Sequence, residues 1–504
     1  MATPTESDRG LARDIEKDVE ELGDPELSPG IPSASIAAHA GHAPRVDTLA
    51  PERHDSYEEI WRLAWPVIAS QVLAYLVNLI DIAMVGRLGR DALAAVGYVT
   101  QVFFLVQSVF FAVSFACVAL MARALGARDP ARARQALAAS MLVALGLALL
   151  TSGIALTFPH AVLGWMNAAP ELVALGAPYF RLVVGSSLLL AVAVIVEGGL
   201  RAAKNSRTSM WIGLFTTAVK IALNALLIFG LWGFPRLELV GAGIATVASQ
   251  LTAVTLFVVA SRRGPAREVL SIGWLDFARA RALLGHVLRL ALPAVGERVI
   301  MNLAMISYFT IVGGYGSAAL AAYTVGVRVL AFSWIPGTGF SSAASTLVGQ
   351  ALGAQNPGAA ARAGWRAVRL ALGFSVVLGA VCAFGREPLS RLLTNDVGVI
   401  RVLGPFMLIL AVSQPLLGLH FTLAGALRGA GDTVTPLLAA TFGNWGFRVP
   451  LAALGSAALQ LDLVWVWGAL FFDHLARAIW LGIAFQRGRW RGKTARAAGP
   501  RSPL

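Results

Sequence analysis

The chain has 504 residues, 57% hydrophobic and only 14% charged, with a mean hydropathy of +0.69. Those values exclude an ordinary water-soluble globular domain. The formal net charge of +13 would suit a nucleic-acid surface. Its arginines, however, cluster in alternate connections between apolar runs, where a polytopic membrane protein carries its topology signals, so no nucleic-acid partner is expected.

Residues 1–55 come first and differ from the rest. They hold 12 of the 28 acidic residues against 5 basic ones, with scattered Pro, Gly and Ser. This composition predicts a disordered acidic cytoplasmic tail, with a short charged helix around LARDIEKDVEEL. It lacks the basic start and apolar stretch of a signal peptide. Twelve apolar spans follow, at 60–86, 96–122, 135–158, 174–200, 208–231, 239–260, 289–313, 323–351, 365–385, 398–427, 434–456 and 464–486. Each is long enough to cross a hydrocarbon core of about 30 Å. None shows the strict alternation of an outer-membrane strand, so the spans read as helices. The two cysteines, Cys117 and Cys382, lie inside spans and read as packing residues.

Charge orients the spans. Arg123, Arg128, Arg132 and Arg134 follow span 2; Arg201, Lys204 and Arg207 follow span 4. Six arginines from Arg262 to Arg289 lie between spans 6 and 7, and RGRWRGKTAR follows span 12. The opposite connections are poor in Lys and Arg, apart from Arg386, Arg391 and Arg401. Both termini are therefore expected in the cytoplasm, with the chain in the plasma (inner) membrane.

Shifting the chain by 227 residues brings its halves into register. RLAWP (62–66) falls on RLALP (289–293), and VGRLGRDALAA (85–95) on VGGYGSAALAA (312–322). ALGARDP (124–130) falls on ALGAQNP (351–357), and GLRAAKNSRT (199–208) on ALRGAGDTVT (426–435). A shift of six spans keeps both halves in the same orientation, so this is a parallel repeat with its axis along the membrane normal. The expected architecture is all-α: a six-helix bundle over 56–262, a cytoplasmic linker over 263–288, a second six-helix bundle over 289–487 and a basic tail over 488–504. Two bundles around a shared cavity suit alternating access, and so a transporter.

A major-facilitator protein would carry a Gly…Asp-Arg-x-Gly-Arg type of sequence after span 2, where this chain has ALGARDPARARQA. That motif, its partner ALGAQNPGAAARAG, LIDIAMVGRLGRDALAAVG at span 1, IPGTGFSSAASTLVGQALGA in span 8 and LAGALRGAGDT after span 10 resemble the multidrug and toxic compound extrusion (MATE) family. The resemblance runs from about 60 to 490 and points to the prokaryotic NorM-like branch. It implies a V-shaped pair of bundles, working as a monomer, that expels lipophilic, often cationic compounds in exchange for H⁺ or Na⁺. It also implies ion coupling at the span-1 aspartate, here Asp81.

Acidic residues inside the spans are few: Asp81, Glu297, Asp473 and, near a helix end, Glu197. A bare Asp at a bilayer centre costs roughly 2.5–3.5 kcal/mol, which makes it a functional candidate. Gln71, Asn78 and Asp81 share one helical face, and Gln71 is placed in the substrate cavity. In span 5, Lys220 and Asn224 share a face with Thr217. Lys220 is read as a partner for Asp81, with snorkelling to an interface as the alternative. In the family this face often carries Asn and Asp, so Lys220 and Asn224 depart from a two-carboxylate site; Na⁺ near Asp81 remains open, and no other metal or cofactor is expected.

In span 7, Glu297, Met301, Met305 and Tyr308 share a face of acid, thioether and aromatic groups that suits a lipophilic cation. The alternative pairs Glu297 with an arginine such as Arg328 or Arg448. Leu417 stands where NorM-type proteins carry a span-10 aspartate, with His420 close by as a structural residue. Asp473, His474 and Arg477 read as a structural i,i+4 arrangement in span 12.

RGRWRGKT (487–494) imitates a phosphate-binding loop but has Arg487 in place of the first glycine, outside any strand–loop–helix context. No loop holds a catalytic constellation, so the expected protein is not an enzyme and runs on an ion gradient. The expectation is a multidrug efflux antiporter, with membrane lipids around it. The alternative is a flippase for a lipid-linked sugar precursor or another amphiphile of the same superfamily.

Overall fold

The computed structural model describes residues 56–263, 266–393 and 396–492. The chain divides into Met1–Glu52 and Arg53–Leu504. The expected acidic tail over 1–55 lies outside the described residues, as do positions 493–504 of the basic tail.

The motifs that reveal the repeat are helix ends. Span 2 (Arg90–Gly126) stops at a left-handed residue, Arg128 (φ 57°), and span 8 (Ser317–Gly353) stops at its counterpart Gln355 (φ 57°). Span 3 then starts at Pro130, capped by Asp129, whose carboxylate accepts from Arg132 N at 2.8 Å. Span 9 (Pro357–Phe384) starts the same way, with Asn356 accepting from Ala359 N at 2.9 Å. A capping Asp or Asn followed by Pro in the first turn is a helix start, because neither needs the amide that proline lacks. The KNSRT and GDTVT turns are a second such pair: Asn205 caps Thr208 N, and Asp432 caps Thr435 N. Gly89 and Gly316, both at positive φ (115° and 97°), form a third.

Ten helices among the described residues are long and apolar enough to cross a bilayer. The eleventh, span 4, is a bent pair, Pro170–Val183 and Ser187–Ala202, inclined by 43°. The sequence predicts one unbroken span there. The break falls at Val184–Ser186, where Ser186 Oγ and Ser187 Oγ donate to the carbonyls of Val183 and Val184 at 3.0 and 2.5 Å. Hydroxyls that take helix carbonyls compete with the ladder and bend it. Span 11 is the twelfth: a helical run through Val434–Thr441, Phe442–Arg448, Val449–Ala453 and Leu454–Ala458. The second and fourth of these pieces are wide π turns. Pro450 removes one ladder donor between them.

Span 7 is longer than expected, Trp274–Gly313 instead of 289–313. Most of the expected linker is thus helix. Ala280 and Val287 on this extension, with Ala291 just after it, are buried in the core of the first half with Leu137 and Ile195. Alanines are small enough to let the helices approach closely.

The halves meet at the end that bears the ALGARDP and ALGAQNP turns. A Cβ on Gly126 would overlap the Gln350 carbonyl, and one on Gly353 would overlap the Arg123 carbonyl. Arg123 and Gln350 are themselves repeat counterparts, so each half presents the same contact to the other. Arg123 Nη2 donates to the Ala430 carbonyl, and Gln350 Nε2 to the Ala202 carbonyl at 2.8 Å. Ile60, Leu63 and Ala64 of span 1 (Tyr57–Gly86) join the core that holds Phe340, Leu347 and Phe485 of the second half.

Candidate functional site

Asp81 lies five residues before the end of span 1, facing span 5 (Ser206–Phe229). Asn205 caps the start of span 5, and Lys220 and Asn224, one turn apart on it, both point at the carboxylate. Lys220 Nζ donates to Asp81 Oδ2, and Asn224 Nδ2 donates to Oδ1 at 2.6 Å. Each carboxylate oxygen therefore has its own donor. The Asp81 and Lys220 side chains keep 24% and 23% of their surface exposed, while Asn224 is buried. Lys220 does not snorkel to an interface; the pair offsets two charges that neither helix could hold alone. Asn224 Oδ1 is buried without a partner.

Asn78 and Gln71 precede Asp81 on span 1 and are partly exposed. Tyr179 of span 4 stands within electrostatic reach of Asp81. Sequence reasoning did not find Tyr179, because nothing in APYFRLV marks which face the bent fourth span turns toward span 1.

The structure alters the reading of span 7. Glu297 does not offer a bare charge to a cation: Arg428 Nη2 donates to its Oε1 and Oε2 at 2.6 and 2.8 Å, and both residues are buried. The partner is neither Arg328 nor Arg448 but the arginine of the ALRGAGDT motif at the end of span 10 (Val397–Gly429). Tyr308 is also corrected. It is fully buried, its hydroxyl donates to the Val466 carbonyl at 2.8 Å, and its ring packs 5.3 Å from that of Tyr323. A buried phenol needs a partner, and it takes one inside its own bundle rather than facing a cavity. Met301 and Met305, on the same helix, remain partly exposed.

Asp473 is fully buried in span 12 (Leu463–Arg487). Arg477 donates to it from the next turn at 2.5 and 3.0 Å, as its spacing predicts, and Arg448 reaches it from the π turn of span 11 at 2.6 Å. His420 stacks on His474 with ring centroids 5.3 Å apart. The spacing i,i+4 reveals Arg477; only the fold brings in Arg448 and His420.

The family model MatE matches residues 66–226 and again 293–454, so its second copy starts 227 positions after its first. The chain is 31% identical over 485 residues to the probable multidrug resistance protein NorM of Rhodopseudomonas palustris, covering 89% of this chain and 98% of that one. It is 26% identical over 445 residues to the probable NorM of Thermotoga maritima, covering 86% and 93%. Its fold matches a solved outward-facing structure of a multidrug resistance MATE family transporter with a TM-score of 0.79, at 22% identity, covering 89% of this chain and 98% of that one. With the family model matched twice, once in each half, the chain belongs to the MATE family of membrane transporters.

Proposed function

We propose that this protein is a secondary active multidrug exporter that exchanges lipophilic cations for protons at Asp81. The observation that carries this reading is the partly exposed Asp81–Lys220–Asn224 cluster, the intramembrane acid that is neither fully buried nor locked to an arginine. The NorM relatives are named as probable multidrug resistance proteins, which supports drug-like cargo. Lys220 occupies the place at Asp81 that a Na⁺ ion would need, which favours H⁺ as the coupling ion. Na⁺ also asks for several oxygen ligands, whereas Lys220 and Asn224 turn donors toward the carboxylate.

The cycle follows from the pair. The tight closure at the ALGARDP end, cytoplasmic by its arginines, leaves Asp81 to be reached from the opposite side. A proton taken there neutralises Asp81 and releases Lys220. A cation held beside the carboxylate loses its counter-charge and leaves. When the halves rock and the proton departs inward, the ion pair re-forms or a new cation competes with Lys220 for the same carboxylate. Proton and drug thus exclude each other at one acid, which is what exchange requires. The driving force is about 2.3 kcal/mol per elementary charge per 100 mV. Both termini lie in the cytoplasm, and the chain acts as a monomer in the plasma membrane, without cofactor or catalysis.

The test is dye-driven proton release from the reconstituted protein in Na⁺-free buffer between pH 5 and 9. The parent releases protons, while Asp81→Asn binds dye without coupled export. Export by Asp81→Asn at the parent rate, or strict dependence of the parent on Na⁺, overturns the reading.

A further inference from the structure

Between the closed halves lies a cavity of about 10 Å³, walled by spans 2 and 4 on one side and spans 8 and 10 on the other. It has room for one water-sized species. Three of its residues from the first half face their own repeat counterparts: Arg201 with Arg428, Phe115 with Ser342, and Val118 with Ser345. A cavity walled by both members of three pairs sits on the pseudo-two-fold axis of the molecule.

Arg201 and Arg428 are more than nine-tenths buried, at 8% and 7% exposed. Arg428 gives Nη2 to Glu297 and lies 5.1 Å over the Phe115 ring of the opposite half, but its Nε has no partner. Arg201 stands 3.7 Å from Glu197, and its Nε and Nη2 are both without a hydrogen-bond partner. Ser345 Oγ is buried and unpartnered as well. Glu197 and Glu297 offset the two arginines, and Arg298, within electrostatic reach of Glu297 and Arg428, leaves the group with an excess positive charge.

A guanidinium only donates. Buried donors on a charged group that go unmade are costly. A water could give its protons to the serine hydroxyls but has few lone pairs for the guanidinium donors, whereas a halide accepts from Arg201 Nε and Nη2, Arg428 Nε and the hydroxyl of Ser345 alike. The volume rules out phosphate, sulfate and carboxylates.

We propose that Arg201, Arg428 and Ser345 bind one small monovalent anion of chloride size on the pseudo-two-fold axis. The walls come from both halves, so the site exists only while this end is closed. An anion bound there stabilises that closure and, by linkage, favours the state open on the other side. The site itself does not depend on drug–proton exchange.

The experiment uses the full chain purified in detergent and dialysed into sodium gluconate. Thermal stability is followed as chloride or bromide replaces gluconate at constant ionic strength, and crystals grown in bromide are measured at the bromine edge. Stability rises saturably with either halide and not with sulfate, and one anomalous peak lies between Arg201 and Arg428. Ser345→Val copies the residue at its repeat position, Val118, and removes the halide response while the stability in gluconate is kept. Equal stability in halide and gluconate overturns the proposal, as does a halide response unchanged by Ser345→Val, or a cavity holding only water in the bromide crystals. The bromine measurement is made on the parent protein, so it decides even if the variant misfolds. Neither readout involves drug or proton, so failure here leaves the exchange reading intact, and failure of that reading leaves this site intact.

Discussion

Lys220 and Asp81, 139 residues apart in the chain, form an ion pair between spans 5 and 1, with Asn224 holding the second carboxylate oxygen at 2.6 Å. The pair makes Lys220 the counter-charge of the acid proposed to couple transport. Removing the cation leaves the Asp81 carboxylate without its counter-charge inside the membrane. Lys220→Ala should therefore change the pH profile of coupled export, and Lys220→Arg should restore it toward the parent. Proton release from proteoliposomes, recorded from pH 5 to 9, measures this. An unmoved profile in Lys220→Ala would sink the role given to the lysine.

Glu297 makes a different prediction. Its loss leaves Arg428 buried without its counter-charge, and breaking one side of a buried pair costs about 3–5 kcal/mol. Glu297→Gln should lower the unfolding temperature in detergent, and the double variant Glu297→Gln/Arg428→Gln should recover most of it. A stable Glu297→Gln that has lost only the export of cationic dyes would instead return Glu297 to the cargo.

Asp473 should behave like Glu297 and unlike Asp81. It is the shared acceptor of Arg448 and Arg477, so Asp473→Asn leaves two buried arginines around a neutral amide. Folded yield by size-exclusion chromatography should collapse for Asp473→Asn and hold for Asp81→Asn, whose site is about a quarter exposed. Equal yields would contradict the division into a structural and a working acid.

The closed end rests on glycine. Gly353→Val places side-chain atoms inside the Arg123 carbonyl, which belongs to backbone and cannot give way. Export should fall to background, while Gly97→Ala, whose added methyl meets nothing within 4 Å, should export at the parent rate. Dye accumulation in an efflux-deficient host, normalised to membrane expression, reads both. Full activity in Gly353→Val would show that the tight approach of spans 2 and 8 is dispensable.

Much of the molecule is legible in the chain because its signals are local. Apolar runs of bilayer length, capping Asp or Asn before Pro, and glycines at positive φ each act within one helix or turn. Repetition at 227 positions then assembles them into two like-oriented halves. The i,i+4 spacing of Asp473 and Arg477 belongs to the same class. So does the shared face of Lys220 and Asn224, which span 5 delivers whole. Even the arginines that meet on the axis were visible as a repeated motif, GLRAAKN and ALRGAGD, although nothing local tells that they face each other.

Pairing across helices was decided by the tertiary structure. Several arginines could neutralise Glu297 on grounds of charge alone; the sequence favoured a cation-facing Glu297, with Arg328 or Arg448 named only as alternative partners. Packing of spans 7 and 10 supplied Arg428, while Arg448 was turned to Asp473 by the π turns of span 11. Tyr308 shares a helical face with Glu297, yet that face is buried against span 12 at the tyrosine. Helical periodicity sets which residues lie on one side of a helix; what stands opposite depends on the rotation and tilt of its neighbours, and no single span encodes those.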